Sequence, residues 1–125
     1  MPRKKSYGLT DAELRVMEVL WERDASTVSD VTEALRSGAA LAYSTVLTTL
    51  RILENKGHVR HSKEGRAFIY HAVTGREQAT EKAITHLLSR FFKGSPELLM
   101  VNLIDSKKID AKELARLRKK IGEAK

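Results

Sequence analysis

The chain contains no cysteine, only two prolines and a single tryptophan among its 125 residues. Without thiols there can be no disulfide framework, no thiolate metal site and no cysteine nucleophile. The longest uninterrupted apolar runs are a few residues, far short of the roughly 20 that carry a helix across a bilayer. Also missing are an H-E-x-x-H pair, a glycine-rich phosphate loop and a G-x-S-x-G elbow. These absences remove the usual signatures of metalloproteases, nucleotide-binding proteins and serine hydrolases, so no enzyme is expected. Internal repeats and low-complexity segments are absent as well. Residues 1–5 are basic but no apolar run follows them, so a secretion signal lacks its second part and a cytoplasmic location is expected. The four histidines, His58, His61, His71 and His86, do not suggest a ligand set. His58 and His61 are three apart, which on a strand puts them on opposite faces and defeats chelation. Neither a metal nor a cofactor is expected.

Positive charge is what the chain has in excess. Lysine and arginine number 23 against 16 acidic residues, a formal charge of +7 with four histidines counted as neutral. A small basic protein favours an anionic partner, most commonly nucleic acid. The distribution sharpens this. Residues 1–35 carry five basic and seven acidic side chains, whereas 36–73 carry six and two. Residues 74–125 add twelve basic and seven acidic side chains, many in the run Arg116, Arg118, Lys119 and Lys120, which reads as the solvated face of a terminal helix.

The cationic stretch has a recognisable order of parts. Over 43–56, Val46, Leu47, Leu50 and Leu53 recur at helical spacing and form a stripe facing a core. The opposite surface is assigned Ser44, Thr45, Thr48, Thr49 and Arg51, with Tyr43 at the entrance. Gly57 can take the left-handed cap, and Lys56 before it suits the negative end of the helix dipole. Residues 58–62 and 66–73 then read as strands joined through Lys63, Glu64 and Gly65, with Arg60, Lys63 and Arg66 placed near the tip. A polar-faced helix followed by a cationic hairpin is the order of a winged helix-turn-helix, whose helix enters the major groove.

The remaining elements fit that frame. Thr10 to Glu13 forms a capping box opening a helix with Leu9, Ala12, Val16, Met17 and Leu20 inward and Glu13 off that stripe. Ala25 and Ser26 suggest a short strand against the wing, and Thr27 an N-cap for a second helix. Beyond residue 73, Thr74 to Glu77 reads as a capping box for a long helix, Ser95 and Pro96 start another, and Asp110 a third. Their apolar residues, among them Ile84, Leu87, Leu88, Phe91, Leu98, Leu99, Leu103, Leu114 and Leu117, exceed what about fifty residues can hide alone. A second copy is the expected cover, as a two-fold homodimer burying roughly 1,000 Å² or more. The expected fold is therefore mostly α with a small β wing. A winged helix-turn-helix DNA-binding domain would occupy 1–73 and a C-terminal helical dimerisation region 74–125.

The blocks LTDAELRVMEVLW, LAYSTVLTTLRILENKG, EGRAFIY and RFFKGSPELLMVNLID closely resemble the penicillinase-repressor family, in order and spacing, across 9–117. That resemblance implies a dimeric bacterial winged-helix repressor binding palindromic operator DNA before resistance genes. It places operator contacts at Tyr43, Ser44, Thr45, Thr48, Thr49 and Arg51, with Arg66 at a basic wing position. It also implies a sensor-protease pathway cutting an Asn-Phe bond, matched here by Asn102-Leu103, where Leu replaces Phe. Related copper repressors carry a cysteine-rich metal tail, whose chemistry these cysteine-free residues cannot supply. Two other readings stand beside it: a DNA-independent interaction module, and a metal-responsive winged-helix sensor using histidines.

Overall fold

Thr10 holds extended backbone and accepts a hydrogen bond from the Glu13 N–H at 3.1 Å, while Glu13 Oε1 accepts from the Thr10 N–H at 2.8 Å. This reciprocal pair satisfies two otherwise orphaned donors and starts α1, Asp11–Arg23. In the computed structural model, which describes residues 8–123, α2 follows at Val28–Ala34. Thr27 and Asp30 cap it by the same exchange, both bonds at 3.0 Å. A 3₁₀ turn, Leu35–Ser37, leads to α3, Tyr43–Asn55. The antiparallel ribbon β1, Val59–Glu64, and β2, Ala67–Ala72, forms the wing. Three helices complete the chain: α4 at Arg76–Phe91, α5 at Pro96–Asp105 and α6 at Ala111–Glu123. The basic residues 1–5 lie outside the described residues.

One core joins the first five elements. Val16, Met17 and Leu20 of α1 meet Val31 of α2 and Val46, Leu50 and Leu53 of α3, all closed to water, with Val59 and Tyr70 of the wing. Each such aliphatic side chain contributes about 1.5–3 kcal/mol on burial. The wing is tied in by Ser26, whose N–H donates to the Tyr70 carbonyl at 3.1 Å and whose carbonyl accepts the Tyr70 N–H at 2.8 Å. The expected short strand is thus a single bridge. Trp21 packs against this core, and its indole N–H donates to the Thr74 carbonyl at 2.8 Å.

Four local expectations change. The hairpin turn holds two residues rather than three, since Glu64 pairs with Ala67, and Gly65 takes φ +61°, as the first position of a II′ turn favours. Thr74 does not cap α4; its carbonyl and hydroxyl are taken by Trp21 and by His58 Nδ1, 2.9 Å away, and the first helical bond runs from the Ala79 N–H to the Gly75 carbonyl. Glu13 is not off the inner stripe but buried, and Lys56 reaches it rather than the helix end, its Nζ lying 2.8 and 3.0 Å from the two carboxylate oxygens. Burial alone would raise the Glu13 pKa, but the Lys56 ammonium and the Thr10 N–H outweigh it and hold the carboxyl below its ordinary value of 4.5.

The chain divides into two compact units, Met1–Ala83 and Ile84–Lys125, with the division inside α4. The C-terminal helices are well delimited. Gly94, at φ +77°, sends its N–H back to the Leu88 carbonyl. Ser95 Oγ accepts from the Leu98 N–H at 3.2 Å ahead of Pro96, and Asp110 Oδ1 from the Glu113 N–H at 2.8 Å. None of the described residues of α4, α5 or α6 is buried.

Candidate nucleic-acid interface

Because Val46, Leu50 and Leu53 anchor α3 in the core, the helix must show its opposite stripe. Tyr43, Ser44, Thr45, Thr48 and Arg51 are all exposed there. Offsets of four and three place Ser44, Thr48 and Arg51 on one line, and Asn55, exposed in the last position of α3, continues it. Sequence reading passed over Asn55, although its spacing of four from Arg51 was visible. Ile52 is also open to solvent beside this line.

Thr49 departs from expectation. It is 6% exposed, and its hydroxyl donates to the Thr45 carbonyl at 2.7 Å. Three residues after Val46 and four before Leu53, it occupies the core side of the helix, where back-bonding to the preceding turn satisfies its oxygen. That position takes it off the exposed face on which the sequence placed it.

The wing supplies the cations. Arg60, Lys63 and Arg66 are exposed, but the ribbon does not bring all three together. Arg60 faces His71 across the ladder and Lys63 faces Phe68; since alternate residues point to opposite faces, Arg60 and Lys63 leave the ribbon on different sides. Lys63 and Arg66 lie at the tip and Arg60 toward the base. Lys63 Nζ stands 5.9 Å over the Phe68 ring. His58 and His61 also separate, His58 to Thr74 and His61 Nδ1 to Glu54 at 2.7 Å. The Tyr70 hydroxyl is buried behind this face, and burial, joined by the Glu54 charge, raises its pKa above 10.0 against the opposing pull of Arg51. No group of three acidic or histidine side chains able to hold a metal occurs among the described residues.

The proposed interface residues of the C-terminal helices stand open. Ile84, Leu87, Phe91, Leu98 and Leu117 are exposed, Phe91 at 68%, and Leu88, Leu99, Leu103 and Leu114 are half-buried. Asn102 is exposed within α5, beside Leu103. No helix among the described residues is long and apolar enough to cross a membrane.

Helix, short helix, turn, exposed helix and two-stranded ribbon on one core define a winged helix-turn-helix protein. The chain belongs to the penicillinase repressor family, which it matches over residues 9–123. The transcriptional regulator BlaI of Mycobacterium tuberculosis is 33% identical over 121 residues, 95% of this chain and 86% of the relative. The penicillinase repressor of Bacillus licheniformis is 29% identical over 114 residues, 91% of this chain and 89% of the relative. Among solved structures, the DNA-binding domain of the repressor BlaI covers 61% of this chain and 93% of its own length, with 33% identity and a TM-score of 0.52.

Proposed function

We propose that the protein is a cytoplasmic transcriptional repressor, not an enzyme, that binds a palindromic operator in duplex DNA as a homodimer. One observation carries the reading: the α3 stripe Ser44, Thr48, Arg51 is free while its reverse is locked into the core. Each subunit lays α3 in the major groove, where Arg51 and the hydroxyls meet base edges and phosphates, Ile52 can meet a thymine methyl, and Lys63 and Arg66 hold the adjacent backbone. Residues 1–73 do the reading and 74–125 pair the subunits. The exposed leucines and phenylalanines of α4, α5 and α6 support pairing, since an apolar surface of this kind is ordinarily covered. Pairing sets two reading helices on half-sites about 10 bp apart.

Membership of the family supports β-lactam-resistance or related stress genes as targets, with derepression by a sensor protease at Asn102-Leu103. Asn102 is reachable, but a protease takes up extended chain, so this turn of α5 must open before the bond is cut.

Selecting bound fragments from the source genome and reading the shared palindrome tests the proposal. Affinity for that duplex should fall about 10³-fold between roughly 50 and 200 mM salt; an interaction module that ignores DNA shows no such loss. Arg51→Ala should cost about 1–3 kcal/mol of operator binding, with a smaller loss for Thr48→Ala, and leave the melting temperature in place. Thr49→Ala should do the reverse, and weakened operator binding by Thr49→Ala at unchanged stability would overturn the assignment of faces.

A further inference from the structure

A carboxylate sits where a DNA-reading surface would do better electrostatically without one. Glu54 lies in the last turn of α3, three residues after Arg51, and its charge opposes the approach of phosphates. Its contacts are specific. Its Oε1 and Oε2 lie 2.8 and 2.7 Å from His61 Nδ1, and Oε2 also accepts the His61 backbone N–H at 3.3 Å. Since a carboxylate only accepts, His61 Nδ1 is the donor.

We propose that Glu54 is a positioning residue that fixes the wing against the reading helix, so that operator binding depends on a negative charge that would otherwise weaken it. This rests on the operator reading above. Glu54 grips both the backbone and the ring of His61, the third residue of β1. The imidazole then braces the second strand, its centroid 5.0 Å from Phe68, edge-on, and 5.6 Å from Tyr70. Phe68 lies beneath the Lys63 ammonium, and Tyr70 is bridged to Ser26. One side chain thereby links the C-terminal turn of α3, both strands of the wing and the cation beside its tip. Among the described residues no strand flanks the outer edge of β1, while β2 is held by the Ser26 bridge, so the grip of Glu54 on His61 is what ties β1 to the end of α3 beyond the core contact of Val59.

Opposite signs separate the two possible roles of Glu54. If only its charge matters, Glu54→Ala tightens binding to every duplex. As a clamp, Glu54→Ala loosens binding to the selected operator about tenfold while an unrelated duplex of equal length binds as well or better. Glu54→Gln, which keeps an oxygen for the His61 donors, stays within about threefold of wild type. Binding by the full-length protein is measured on both duplexes, with thermal melts to show that the variants fold. Residual dipolar couplings of the wing amides, recorded without DNA, test the clamp apart from the operator. They should change in Glu54→Ala and remain in Glu54→Gln. Unchanged couplings in Glu54→Ala, or an operator affinity that rises in that variant, overturn the proposal; wild-type protein that binds no duplex in a salt-dependent way overturns the operator reading instead.

Discussion

Leu50 in α3 and Leu99 in α5 are the same side chain, each in a helix rich in apolar residues, yet Leu50 has no exposed surface and Leu99 is only half-buried. The difference extends to their surroundings. In the winged unit, three helices and a ribbon close over one core, and among the described residues no buried side-chain nitrogen or oxygen lacks a partner. In the unit beginning at Ile84, comparable side chains enclose nothing among the described residues. A stretch of about forty residues cannot hide its own apolar surface. The contrast separates a unit whose apolar side chains close over one another from a unit whose apolar side chains stay open, and the proposed pairing of subunits rests on that open surface.

Three substitutions or conditions test that contrast, from the largest effect to the smallest. Leu50→Ala should destabilise the fold by about 3 kcal/mol, read as a lowered urea midpoint, because the cavity is enclosed. A loss below about 0.5 kcal/mol would mean the core is not closed there. Leu99→Asp should leave the urea midpoint of the winged unit almost unchanged but convert dimer to monomer in sedimentation, and operator affinity should drop about 100-fold with loss of the tethered second half-site. An unaltered sedimentation coefficient would remove the role assigned to the C-terminal helices. The third is pH. Burial, with the charges of Lys56 and Lys82, holds the His58 pKa below 6.5, so the unfolded chain binds the proton more readily than the fold does. This contribution is complete above pH 6.5 and declines as pH falls toward the folded pKa. Glu13, also depressed, adds its loss below about pH 4.5. The melting temperature should therefore fall on acidification in two stages, and His58→Gln should flatten the first alone.

Much of the fold was legible because its signals are local. The caps at Thr10, Thr27 and Ser95 are short motifs whose partners lie three residues away, and the α3 stripe follows from helical spacing. What escaped is non-local. Glu13 was read correctly as part of a cap, but its burial depends on Lys56, 43 residues further on. Thr74 matches a capping motif, yet the indole of Trp21 and the ring of His58 claim it for tertiary contacts. The polarity of Thr49 points outward, but its position between Val46 and Leu53 decides its side of the helix, and its hydroxyl is satisfied within the helix itself. The opposite directions of Arg60 and Lys63 follow from their spacing of three once Lys63 lies in β1 and not in the turn, and that depends on a turn length the residues alone left open by one position.

The solitary tryptophan gives the molecule a built-in optical gauge. Its indole N–H is held by the Thr74 carbonyl, just before α4, and the Arg76 guanidinium lies 5.0 Å over its ring. Emission from the intact protein therefore reports whether the first turn of α4 remains seated on α1. A red shift and a change in lifetime when operator duplex is added, or when the C-terminal helices are cut, would reveal strain passed along that helix, with no label attached.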